Sequence, residues 1–188
     1  MKREAFRDLL NRRKWEQALF VVERPYRADA LAELIEERGV RSLLSAIRYV
    51  WSDTESVFSN WQTWEYIWAQ AEKTKRGKRR ENLIYVMDKP ERAFFAALPD
   101  KFIVYRGFKK EGGEVGYSWT LDRSMGEWFA RRYAYQGQPM LAKMEVNKSD
   151  VLAYFNGRKE SEIVLHPIVV DFSAVTIKAL LPARAEAA

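Results

Sequence analysis

In "GRKESEIVL", residues 157–165, Glu160 and Glu162 stand two apart and are followed at once by Ile163, Val164 and Leu165. Residues i and i+2 of a strand share one side, roughly 6.5 to 7 Å apart by strand rise. The pattern therefore predicts two carboxylates facing one way at the mouth of a strand. Burying one of them costs several kcal/mol unless a partner satisfies it. Two acids aimed into a cleft can divide a task, one stabilising a developing cation and the other handling a proton or a second substrate. The same pair on a solvated strand edge does neither, so other residues must decide. In "VYRG", residues 104–107, Arg106 ends an apolar run just before Gly107. A guanidinium at a strand terminus is suited to fork onto phosphate oxygens. In "GYSWTLDRSMGEWFA", residues 116–130, Ser118 ends a short strand and Thr120 follows where a helix starts, a natural N-cap position.

The elements that must position these residues change character along the chain. The first half has helical periodicity. Segment 2–22 carries Phe6, Leu9, Leu10 and Leu19 at helical spacing. Segment 27–40 carries Leu31, Leu34 and Ile35, with Gly39 placed as its stop. Segment 52–73 opens with Ser52 and Glu55 as a capping-box pair. It puts Trp61, Trp64 and Trp68 on one stripe, which predicts core packing rather than a stacking platform for bases. A last helix is expected at 88–98, with Asp88 before it and Pro90 in its first turn. From Lys101 the pattern turns to short apolar or alternating runs: 101–107, 114–119, 140–146, 150–155, 162–172 and 175–181. One amphipathic helix interrupts them, with Trp128 and Phe129 on its apolar side. The reading is α+β: one unit over 1–188, with a helical part at 1–100, a mainly β core at 101–182, and a loose tail in "PARAEAA".

Composition narrows the chemistry. The 188 residues contain no cysteine and one histidine, His166, which excludes thiol catalysis and makes histidine-based metal sites improbable. His166 precedes Pro167 and reads as a structural residue at a strand break. No apolar run approaches the roughly 18 residues of a membrane span, and a reducing cytoplasm is the expected setting. The net charge of +6 favours anionic partners. The basic loop at 73–81, "KTKRGKRRE", is a candidate contact for nucleic acid or a nucleoprotein.

Taken in order, Tyr105-Arg106-Gly107, Ser118-Trp119-Thr120 and Glu160-Ser161-Glu162 resemble the signature of the R-S-E class of ADP-ribosyltransferases, the family of the cholera-toxin-like and arginine-specific enzymes. Trp119 and Thr120 stand where many members have Thr and Ser. The resemblance covers about residues 101–180. It implies a core of two small packed β-sheets that binds NAD as a substrate, without a metal, and passes ADP-ribose to a protein. In that reading Glu162 stabilises the ribose cation and Arg106 holds a phosphate or ribose oxygen. Ser118 supports the cleft and orients Glu162. Tyr105, Gly107 and Thr120 line the NAD site. Glu160 meets the acceptor, an arginine by the presence of Glu at that position, with Tyr154 or Phe155 beside it. An NAD glycohydrolase carries the same motifs, and a non-enzymatic binding module on the same fold is the further alternative.

Overall fold

The computed structural model describes residues 2–54, 57–73, 83–109, 113–132 and 137–181. Most of the basic loop, Glu55 and the C-terminal tail lie outside them. The chain divides into two compact units, residues 1–92 and 93–188.

The first unit is helical. The stretch expected as one helix at 2–22 is two, α1 (Lys2–Asn11) and α2 (Trp15–Val21). Arg13, at φ 56°, turns the chain through the left-handed region between them. Helix α3 (Arg27–Arg38) stops at Gly39, whose φ of 78° suits a residue without a side chain. Helix α4 (Leu44–Asp53) buries Leu44, Ala46, Ile47, Val50 and Trp51. Ser52 falls in its last turn and so starts no helix, which corrects the capping-box reading. Helix α5 (Trp61–Glu72) buries Trp64 and Trp68 completely. Both pack edge-on against Trp51, with ring centroids 4.8 and 5.4 Å apart. Of the predicted stripe, Trp64 and Trp68 are core and Trp61 is half-buried.

Helix α6 (Lys89–Ala97) opens as its sequence suggests. Asp88 Oδ1 accepts from the Glu91 amide at 2.9 Å and Glu91 Oε2 accepts from the Asp88 amide at 3.0 Å, a reciprocal cap. Arg48 donates to both Glu91 oxygens, at 2.7 and 2.9 Å, and to Asp88 at 2.9 Å. That satisfies a carboxylate that is otherwise buried.

The second unit is an antiparallel sheet with one helix against it. Its strands are β1 (Lys101–Phe108), β2 (Ser118–Thr120), β3 (Met140–Asn147), β4 (Val151–Phe155), β5 (Glu162–Leu165) and β6 (Thr176–Ala179). They run in the order β4-β5-β2-β1-β3-β6. Helix α7 (Arg123–Arg131) follows β2. The described strands thus join into one sheet where two are expected. The join is narrow: β1 and β2 pair only at Tyr105 and Thr120, while β1 and β3 pair along eight positions. Strand β2 is also shorter than the run 114–119 suggests. On α7, Gly126 and Ala130 are the buried residues, and Trp128 is exposed rather than on the apolar side. His166 accepts from the Ile168 amide at 3.2 Å just after β5 and meets Tyr117 edge-on, a structural role.

Candidate functional site

The three motif segments converge where the sheet narrows. Strand β2 lies between β1 and β5, so Thr120 faces Tyr105 on one side and Glu162 on the other. From there the side chains make a connected set.

Glu162 is buried at the start of β5. Ser118 Oγ donates to its Oε1 at 2.5 Å, and Arg158 Nη2 reaches its Oε2 at 3.4 Å. A hydroxyl and a guanidinium thus meet the carboxylate and offset part of the cost of burying it.

Arg106 lies beside it. Its Nε donates to the Gly113 carbonyl at 2.9 Å and its Nη1 to the Ser118 carbonyl at 2.6 Å. Nη2 makes no hydrogen bond among the described residues. A Cβ on Gly116 would stand 2.4 Å from that nitrogen, so the guanidinium occupies the space that a side chain at 116 would take. Burial pushes the Arg106 pKa down to about 10, against the opposing pull of Glu162 and Glu114. It remains a cation at neutral pH in a desolvating environment.

The turn that carries the acids is constrained. Lys159 and Ser161 have φ of 59° and 46°, left-handed values that cost on the order of 1–3 kcal/mol each for residues with side chains. Four hydrogen bonds hold them there. The Lys159 amide donates to the Asn156 carbonyl at 2.9 Å, and the Ser161 amide to Asn156 Oδ1 at 3.1 Å. The Leu121 amide donates to the Ser161 carbonyl at 3.0 Å, and Thr120 Oγ1 to the Glu160 carbonyl at 2.6 Å. Glu160 therefore belongs to the turn and not to the strand. The pleat does not align the two acids; Arg158 gathers them. It donates to Glu160 Oε2 from Nε at 2.9 Å and from Nη2 at 2.8 Å, besides facing Glu162.

Other expected residues sit differently. Thr120 is not the cap of α7: Asp122 is, accepting from the Ser124 amide at 2.7 Å. The buried Thr120 hydroxyl is engaged by Glu160 and by the Asp122 amide, so it anchors the acid turn rather than facing a ligand. Tyr105 packs on Ala130, Leu141 and Leu180. Gly107 sits against α7, where a Cβ would come within 2.1 Å of the Gly126 carbonyl oxygen. Tyr154 and Phe155 are both buried, Tyr154 stacked on Phe94 at 4.6 Å, so neither presents a surface to an acceptor. Sequence reasoning missed Arg158, Gly116 and Asn156. An arginine two residues before Glu160 and a glycine two before Ser118 were the available signals.

A groove of about 630 Å³ lies elsewhere, along α7, lined by Arg123, Ser124, Glu127, Trp128, Arg131 and Arg132. It contains none of the motif residues. Among the described residues, no group of three or more acidic or histidine side chains could hold a metal, and no helix is long and apolar enough to cross a membrane.

Compared with known proteins, the chain matches no family, no curated protein and no solved structure.

Proposed function

We propose that the chain is a mono-ADP-ribosyltransferase that cleaves NAD at the nicotinamide–ribose bond and transfers ADP-ribose to a protein, with an arginine as acceptor. The observation that carries this reading is that Ser118 bonds both the buried Glu162, through its hydroxyl, and the desolvated Arg106, through its carbonyl. A buried anion suits a ribose oxocarbenium ion, and a half-satisfied guanidinium suits a phosphate oxygen. The narrow join of β1 to β2 is compatible with the cleft between two small sheets that the resemblance implies.

In the proposed reaction NAD binds with its phosphates against Arg106 and its nicotinamide ribose against Glu162. The C–N bond to nicotinamide breaks, and its electron pair leaves with neutral nicotinamide. Glu162 stabilises the sugar cation, as acids do in glycoside hydrolysis. A guanidine nitrogen of the acceptor then bonds to C1′, and its proton passes to Glu160. With water as the nucleophile the same steps give an NAD glycohydrolase; the second carboxylate, Glu160, favours the guanidine. A target protein is the proposed partner, in a cytoplasmic setting, and the basic loop at 73–81 is a proposed means of reaching nucleic acid or a nucleoprotein.

The test is NAD labelled in its adenosine half, offered with a small free guanidine such as agmatine. Labelled ADP-ribosyl-agmatine is the expected product. Free ADP-ribose alone would assign the glycohydrolase. Intact NAD together with no NAD-dependent rise in melting temperature would overturn the enzyme reading and leave a binding module.

A further inference from the structure

If Glu160 receives an acceptor guanidine and Glu162 faces the ribose, one side chain of this chain already stands at the acceptor's place. Arg158 Nη2 is 2.8 Å from Glu160 Oε2 and 3.4 Å from Glu162 Oε2, between the two acids. Nε makes a second contact with the same Glu160 oxygen at 2.9 Å. The guanidinium thus leans on Glu160 through two nitrogens and touches Glu162 only weakly. Ribose hydroxyls arriving at Glu162 would displace the weaker contact and leave the stronger ones. Nη2 would then lie beside C1′ with a carboxylate at hand to take its proton.

The turn fixes the backbone from which Arg158 reaches the acids. Asn156 holds the Lys159 and Ser161 amides, and Thr120 holds the Glu160 carbonyl, so the backbone on which Arg158 sits is pinned on both sides. An intramolecular nucleophile held near its target gains a high effective concentration over any acceptor in solution. Its side chain is 41% exposed, so the adduct has room to leave the cleft. A counter-ion for two acids would need charge alone; here the cation has the acceptor's own chemistry and meets both acids through one nitrogen.

We infer that Arg158 is an internal acceptor, the site at which the protein ADP-ribosylates itself in cis. The inference rests on the proposed activity. The C1′–nicotinamide bond breaks with its electron pair leaving on nicotinamide, a bond forms between C1′ and an Arg158 guanidine nitrogen, and the proton lost from that nitrogen goes to Glu160.

The experiment incubates the full chain and its Arg158→Lys variant with NAD, and maps adducts by tandem mass spectrometry while free nicotinamide is read beside it. Lysine keeps the positive charge against the acids but not the guanidine. The expected result is one ADP-ribosyl group on Arg158 of the wild type, with the same fractional rate after tenfold dilution, and none at position 158 in the variant. Nicotinamide release or agmatine modification without an adduct on Arg158 would overturn the internal acceptor and leave the enzyme reading standing. An Arg158 adduct whose fractional rate falls with dilution would overturn transfer in cis. No nicotinamide release and no agmatine product would overturn both.

Discussion

At the scale of single residues, the account turns on how two charges are kept in a poorly solvated place. Ser118 supplies the short hydroxyl contact to Glu162. In Ser118→Ala the carboxylate loses that donor, which costs about 1–3 kcal/mol of folding stability. It also loses its orientation, so NAD cleavage is expected to fall by roughly 10- to 100-fold with the fold retained, about 1.4 kcal/mol for each factor of ten. Urea denaturation and nicotinamide release measure the two separately. Arg106 gives a prediction in pH. Its folded pKa lies near 10, below the ordinary arginine range, because burial disfavours the charged form. Holding that charge therefore costs stability below about pH 10, and the cost is relieved as pH rises from there into the ordinary arginine range. Anion binding runs the other way, since it needs the cation. The NAD-dependent rise in melting temperature is expected to shrink as pH passes about 10, and a rise that stays constant to pH 11 would count against Arg106 as the phosphate contact. The grouping of Arg106, Ser118 and Glu162 was legible through the order of the three motifs rather than through strand ends: Arg106 lies two residues inside the end of β1, and Ser118 opens β2 instead of ending a strand. The role of Thr120 was not, because its partner, the Glu160 carbonyl, lies 40 residues away and no local pattern encodes it.

At the scale of elements, two glycines separate packing from chemistry. A Cβ at Gly107 would meet the backbone of α7, at 2.1 Å from the Gly126 oxygen and 2.4 Å from the Ala130 nitrogen. Backbone cannot swing aside, so Gly107→Ala is expected to lose at least about 1–3 kcal/mol in urea denaturation. The nearest atoms to a Cβ at Gly116 would be those of the Arg106 guanidinium. That side chain can move, so Gly116→Ala is expected to spare stability and weaken NAD binding several-fold; calorimetric titration of both variants decides. The elements themselves were partly legible. Strands β4, β5 and β6 and helices α3, α5, α6 and α7 lie within the periodic segments that predict them, and β1 and β3 overrun theirs by one residue. Helix α4 went unread because Leu43 and Leu44 open it with no capping side chain, and its first turn has no acidic residue. The break between α1 and α2 was hidden because Arg12, Arg13 and Lys14 are good helix formers and carry no turn signal. Trp128 was placed on the wrong side of α7 because the small Gly126 and Ala130, not the large aromatics, make the close approach to the sheet.

At the scale of the whole molecule, the described site lies entirely within residues 93–188, and each unit has its own core. The helical unit depends on the Arg48–Glu91–Asp88 network as well as on its tryptophans. Arg48→Ala would leave Glu91 buried without its cation, and a loss of about 2–4 kcal/mol is expected, at the lower end because Arg48 is partly exposed. Denaturation followed by tryptophan fluorescence reads it directly, since Trp51, Trp64 and Trp68 all belong to that unit. A ligand that binds only the folded chain raises its apparent stability. Saturating NAD is accordingly expected to raise the melting temperature of the wild type.

The most direct test of the central claim is nicotinamide release from NAD by the purified chain, with agmatine present, beside Glu162→Gln. Glutamine preserves the size of the side chain and its contact with Ser118 but removes the negative charge. The account predicts release by the wild type and a loss of at least about 100-fold in a variant that melts as a folded protein, the scale on which removing one transition-state contact acts. Release undiminished in Glu162→Gln would contradict it, because the buried carboxylate would then have no part in breaking the bond.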